Sequence, residues 1–198
     1  MEYNHKENEM AKKKVGKKSG KRTEVTAVLK VNGKKVEHPV RKFFIAAAMI
    51  LLPLAGGLII TLFTINAQEA FGELNQPPLA PPAWLFPVAW TILYILMGVA
   101  SYLIYRVKAK KPAEKRMKIA ELVLFYVQLA FNYAWTLIFF NADLKFFAFG
   151  WLIAMWLMIL ALMILCCFNC RKAMWLLLPY ILWCTFAAYL NISIAILN

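Results

Sequence analysis

Residues 146–168 read FFAFGWLIAMWLMILALMILCCF, a run of 23 without one charged side chain. As an α-helix rising about 1.5 Å per residue it is about 34 Å long, enough to cross a hydrocarbon core of about 30 Å. Backbone N–H and C=O groups find no water at that depth, and a helix satisfies them within one segment, so the run predicts a transmembrane helix. Working outward, four more runs of similar length stand at 43–65, 82–105, 119–140 and 173–197. Together they predict an all-α membrane protein, a five-transmembrane-helix bundle over 43–198 behind a basic tail over 1–42.

Composition points the same way. Of 198 residues, 62% are hydrophobic and 17% charged, against roughly 45–50% and 25% in soluble domains. A water-soluble core with a polar shell is excluded. The four cysteines lie within or at the ends of apolar runs and form no spaced disulfide framework. A cleavable signal peptide is not expected, because the tail is too long for an n-region and the first run too long for an h-region. Acids among the lysines, with few arginines, also argue against a mitochondrial transit peptide.

Charge sets the expected orientation. Of the 23 basic residues 13 precede the first run, alongside 5 of the 10 acids, so the tail carries a net +8. Seven more lie between Arg106 and Lys118, and Arg171 with Lys172 separates the last two runs. The loops on the other side hold Glu69 and Glu73, then Asp143 beside a lone Lys145. The positive-inside rule predicts a cytoplasmic N-terminus and a C-terminus outside. In the tail, residues 23–37 alternate around Asn32-Gly33, a hairpin-turn dipeptide, which leaves either a marginal hairpin or a flexible arm. Beside a membrane anchor the Lys-rich stretch is expected to lie on anionic lipid headgroups rather than on nucleic acid.

Catalytic chemistry is thinly provided for. The only histidines, His5 and His38, are in the tail. Glu121 is the one acid inside a run, one turn from Lys118, where an interfacial ion pair accounts for it. Cys166, Cys167 and Cys170 cluster without a fourth ligand for a closed zinc site. No metal and no cofactor are expected.

Aromatic and amide side chains are arranged more tellingly. On the third run Gln128, Asn132 and Trp135 fall at i, i+4 and i+7 and share one face. On the fifth, Tyr180, Trp183, Ala187 and Asn191 form a second stripe, and Trp90, Tyr94 and Gly98 form a third on the second run. Polar groups in hydrocarbon need partners, so these faces point inward. Two readings stay open: bonds that merely glue the bundle, or the walls of a largely apolar pocket whose few polar groups orient a ligand. Trp84 and Trp175, near span ends, read as interfacial belt.

Three blocks carry a family resemblance. Pro81-Pro82-Ala83-Trp84 followed by 90–98 (WTILYILMG), then 128–135 (QLAFNYAW), and 179–191 (PYILWCTFAAYLN) resemble the motifs of the translocator protein family, also called tryptophan-rich sensory proteins or peripheral-type benzodiazepine receptors (TspO/MBR). The resemblance covers 43–198. It implies a homodimer of five-helix bundles, each with a cavity closed over by the loop after the first helix. That cavity takes porphyrin-like tetrapyrroles, haem among them, or other hydrophobic molecules. Family pocket positions fall on Trp90, Asn132, Trp135, Trp183 and Ala187; Tyr94, Gln128 and Asn191 join them from the stripes. Trp90 and Trp183 also match the tryptophans implicated in light- and oxygen-dependent porphyrin breakdown in some bacterial members.

The chain departs from the family pattern in its first loop, where Gln76-Pro77-Pro78-Leu79 lacks the usual base and indole, and at Trp151, which stands where an acid is common. Nothing basic follows Tyr189, so the sterol motif of animal members is absent. The expectation is therefore a receptor, sensor or carrier in a bacterial plasma membrane. A porphyrin-degrading enzyme and a structural adaptor whose tail recruits a partner are the alternatives.

Overall fold

The computed structural model describes residues 30–31, 34–35, 39–64 and 66–198. Six α-helices follow one another among them: α1 (Pro39–Phe63), α2 (Ala67–Glu73), α3 (Leu85–Arg106), α4 (Pro112–Thr136), α5 (Lys145–Asn169) and α6 (Arg171–Leu197). All but the short α2 are long and apolar enough to cross a membrane. Upstream, β1 (Lys30–Val31) and β2 (Lys34–Lys35) pair antiparallel with Lys30 opposite Lys35; the Asn32-Gly33 turn lies outside the described residues. The bundle belongs to the second of two compact units, Ile45–Asn198.

The spans sit on the apolar runs, and the largest shift is at the start of α4. That helix begins at Pro112, a full two turns before the run at 119, because its charged entry is capped. Glu114 accepts from the backbone N–H of Lys110 (2.8 Å) and of Lys111 (3.2 Å), and Pro112 suits the first helical position. At its far end α4 continues as a π-helical turn, Leu137–Asn141. Sequence periodicity gives no sign of this turn, nor of α2.

The core lies where α6 packs along α5 and α3, with α5 against α4. Leu152, Met155, Ile159 and Leu162 of α5 repeat at helical spacing and are buried against Met97, Ile104, Phe125 and Leu177. Indole N–H groups tie helices together: Trp151 donates to the Phe131 carbonyl at 2.9 Å and Trp156 to Thr185 Oγ1 at 2.9 Å. Trp84 and Trp175 are exposed at span ends. Glu121 is not held by the expected ion pair. Lys118 Nζ instead donates to the Val107 carbonyl at 3.0 Å, over the Tyr105 ring. The fully buried Glu121 accepts from Asn169 Nδ2 at 2.7 Å through one oxygen, and its other oxygen has no partner.

Helix α1 is the least embedded span, with only Pro53 and Gly57 buried among its described side chains. Its hold on the bundle depends on close approach. A Cβ on Gly98 of α3 would stand 2.6 Å from Ile50 Cα, so only glycine lets the two backbones meet there. Gly57 likewise lies under the Tyr94 ring. Tyr133 adds a hydrogen bond of 2.7 Å to the Pro53 carbonyl.

Candidate functional site

The inward stripes of α3, α4 and α6 meet in two layers. The deeper layer is a linear hydrogen-bond chain: Tyr94 donates to Asn132 Oδ1 at 2.8 Å, Asn132 Nδ2 to Tyr180 Oη at 3.2 Å, and Tyr180 to Gln128 Oε1 at 2.8 Å. All four side chains are buried, and one donor, Gln128 Nε2, is left without a partner. The layer above is aromatic. Trp90 stacks on Tyr94 with ring centroids 5.5 Å apart, and Trp135 stacks on Phe139 at 5.3 Å. Trp135 Nε1 donates to Asn191 Oδ1 at 3.0 Å, and Asn191 Nδ2 donates in turn to the Lys145 carbonyl at 2.8 Å.

Between these walls lies a cavity of about 440 Å³, within the range of small-molecule sites. Trp90 and Tyr94 form one side, Trp135 with Phe139 and Phe140 another, and Ala187 with Asn191 a third. The small side chain of Ala187 leaves the space open. Leu54, Gly57, Thr61 and Thr64 of the α1 arm complete the wall, and Phe71 of α2 reaches in from above. No charged side chain among the described residues lines it. Three of its four threonines turn their hydroxyls onto their own helical segments: Thr61 to the Gly57 carbonyl (3.0 Å), Thr64 to Ile60 (3.0 Å) and Thr91 to Pro87 (2.7 Å), while Thr136 lines the wall from α4. The surface offered to a ligand is thus ring faces, methyl groups, a few acceptor oxygens and the Thr136 side chain.

Of the eight residues singled out by sequence, Trp90, Tyr94, Trp135, Ala187 and Asn191 line the cavity, and Gln128, Asn132 and Trp183 do not. Gln128 and Asn132 share the face of Trp135 but lie deeper. Seven residues along a helix is about 10 Å, so Gln128 belongs beneath the cavity floor. Trp183 stands behind Phe86, with rings 6.0 Å apart, and its buried Nε1 has no hydrogen-bond partner. Thr61, Thr64 and Phe71 were not anticipated, since none of them stands in a stripe.

A cover of backbone and amide bonds closes the end of the bundle where α2 lies. Asn198 Oδ1 accepts from the Asn75 N–H at 2.9 Å, and its Nδ2 donates to the Asn75 carbonyl at 3.2 Å. Gln76 Nε2 donates to the Phe71 carbonyl at 2.8 Å, and Tyr189 to the Pro78 carbonyl at 2.8 Å. The turn that follows puts Leu79 at φ 67°, a left-handed conformation that branched and bulky side chains adopt at a cost. Lys145, the one base on this side of the bundle, pairs with Asp143.

Comparison with known proteins agrees with this architecture. The family model described as the TspO/MBR family matches residues 49–197. The chain is 35% identical to the tryptophan-rich protein TspO of Chlorobaculum tepidum over 153 residues, 77% of this chain and 94% of that one. It is 34% identical to the protein of the same name from Archaeoglobus fulgidus, over 76% of this chain and 95% of that one. With the translocator protein of Ovis aries it shares 33% identity, over 74% of this chain and 85% of that one.

Proposed function

The chain belongs to the TspO/MBR family, and from that premise we propose that it is a membrane receptor, sensor or carrier whose cavity binds a flat apolar molecule of the porphyrin-like tetrapyrrole class. One observation carries the reading: a ligand-sized cavity walled by Trp90, Tyr94, Trp135, Phe71, Phe86 and Phe139, without a charged lining residue. Each ring stacked on a macrocycle adds about 0.5–1.5 kcal/mol beyond area burial. Propionate groups of such a ligand find no cation inside and belong at the headgroup level. Of the two tryptophans tied to porphyrin breakdown in relatives, Trp90 fronts the cavity and Trp183 stands one ring behind, which favours binding over catalysis as the primary role.

Two supporting assignments go with it. The seven basic residues from Arg106 to Lys118 support a cytoplasmic N-terminus, and the bacterial relatives support a bacterial plasma membrane. Ile119, Val123, Tyr126 and Val127 leave an apolar groove along the exposed face of α4, suited to lipid or to the same helix of a second copy in a homodimer.

The test is a dark titration of the detergent-purified protein with protoporphyrin, read by quenching of tryptophan fluorescence. Saturable binding is expected, weakened about tenfold, or about 1.4 kcal/mol, by Trp90→Ala. Non-saturable quenching, equal in the variant, would overturn the reading.

A further inference from the structure

We propose that ligand reaches the cavity sideways, from the hydrocarbon of the bilayer through a gap between α1 and α3, and not from water past α2. The proposal rests on the ligand-binding reading above and adds the route and the phase from which the ligand comes. Four cavity-lining residues are also exposed on the outer surface of the bundle: Leu58 and Thr61 on α1, Pro87 and Thr91 on α3. Leu58 is 66% exposed, too much for a side chain that sees only an internal void. These residues form a rim at which the cavity opens toward lipid.

The two possible entrances differ in how they are fastened. Toward water, α2 and the segment after it are held by the Asn75–Asn198 pair, by Gln76 on Phe71 and by Tyr189 on Pro78. Across the rim no hydrogen bond runs between α1 and α3 among the described residues, because the hydroxyls of Thr61 and Thr91 are both committed to carbonyls of their own helices. The α1 side of the rim is the less embedded one, pinned at its end by Asn141 Nδ2, which donates to the Phe63 carbonyl at 2.9 Å. Pro53 supplies no N–H to the helix ladder, and beyond it only Gly57 is buried in the described part of α1. The rim carries no charge. Leu58 and Thr61 lie about 3–8 Å from the end of α1, so a ring can enter the hydrocarbon-facing gap while acidic substituents stay among headgroups. The ligand class this admits is one already dissolved in the bilayer.

The test needs no ligand. In full-length protein in vesicles, with Cys166, Cys167, Cys170 and Cys184 replaced by alanine, Thr136→Cys puts one thiol on the cavity wall. Labelling is followed with an apolar N-alkylmaleimide and with a charged, membrane-impermeant thiosulfonate. The apolar reagent is expected to react roughly tenfold or more faster than the charged one, each corrected for its rate on free thiol. Filling the rim with Thr61→Phe and Thr91→Phe, both at lipid-facing positions, slows it by a similar factor, and loosening the cover with Asn198→Ala leaves it unchanged. Preferential labelling by the charged reagent, acceleration by Asn198→Ala, indifference to the rim substitutions, or no labelling by either reagent would each overturn the proposal. Failure of the ligand-binding reading shows up separately, as a non-saturable protoporphyrin titration in a protein whose labelling pattern persists.

Discussion

At Tyr180 a single hydroxyl joins α6 to two positions on α4, donating to Gln128 and accepting from Asn132, while its ring meets the edge of Trp90. Replacing it by phenylalanine keeps the ring and strands two buried amide groups in a medium without water. Tyr180→Phe is expected to destabilise the bundle by about 1–2 kcal/mol, read as a lower unfolding midpoint in detergent; an unchanged midpoint would mean the chain of bonds carries no stability. The residue types and their spacing were legible in the sequence, but their depth was not. A stripe gives the direction of a side chain around the helix axis, and neither the level of a cavity floor nor the neighbour on another helix follows from it. Trp183 shows the angular limit as well. At about 100° per residue it lies about 60° off the line through Tyr180 and Ala187, enough to put its indole behind Phe86. Glu121 shows the same limit in electrostatics, since the base one turn away found a carbonyl and the acid found an amide on α5.

Among the elements, α1 depends on glycines rather than on an apolar seam. Gly98→Ala drives a methyl group into the Ile50 backbone, which cannot yield as a flexible side chain does. The expected outcome is a loss of about 1–3 kcal/mol. Faster hydrogen exchange confined to α1 and α3, with α5 and α6 unaffected, is the signature that separates this close approach from general loosening. Span existence followed from hydropathy alone, because a bilayer leaves the backbone few choices. Helix α2 escaped because seven residues give too few turns to show a period. The π turn at 137–141 escaped because π turns have no composition of their own, yet it shapes the end of α4 that carries Phe139 and Phe140 to the cavity. The Asn75–Asn198 clasp joins residues 123 apart, and no local pattern announces a contact of that range.

For the whole molecule, the central claim is that an uncharged, ring-walled space within five transmembrane helices exists to hold a small molecule. Among the described residues, the seven bases from Arg106 to Lys118 contribute nothing to its lining. The cavity is closed by hydrogen bonds toward water and open toward lipid, which suits a ligand that lives in the membrane. Ala187 tests this most directly, since its small side chain faces the space while Leu182, five residues earlier on the same helix, is 61% exposed and points to lipid. The measurement is equilibrium binding of protoporphyrin to the unaltered chain, to Ala187→Phe and to Leu182→Phe, in the same detergent. The account predicts saturable single-site binding that Ala187→Phe weakens about tenfold or more and Leu182→Phe leaves intact. Equal affinity in all three proteins would contradict it.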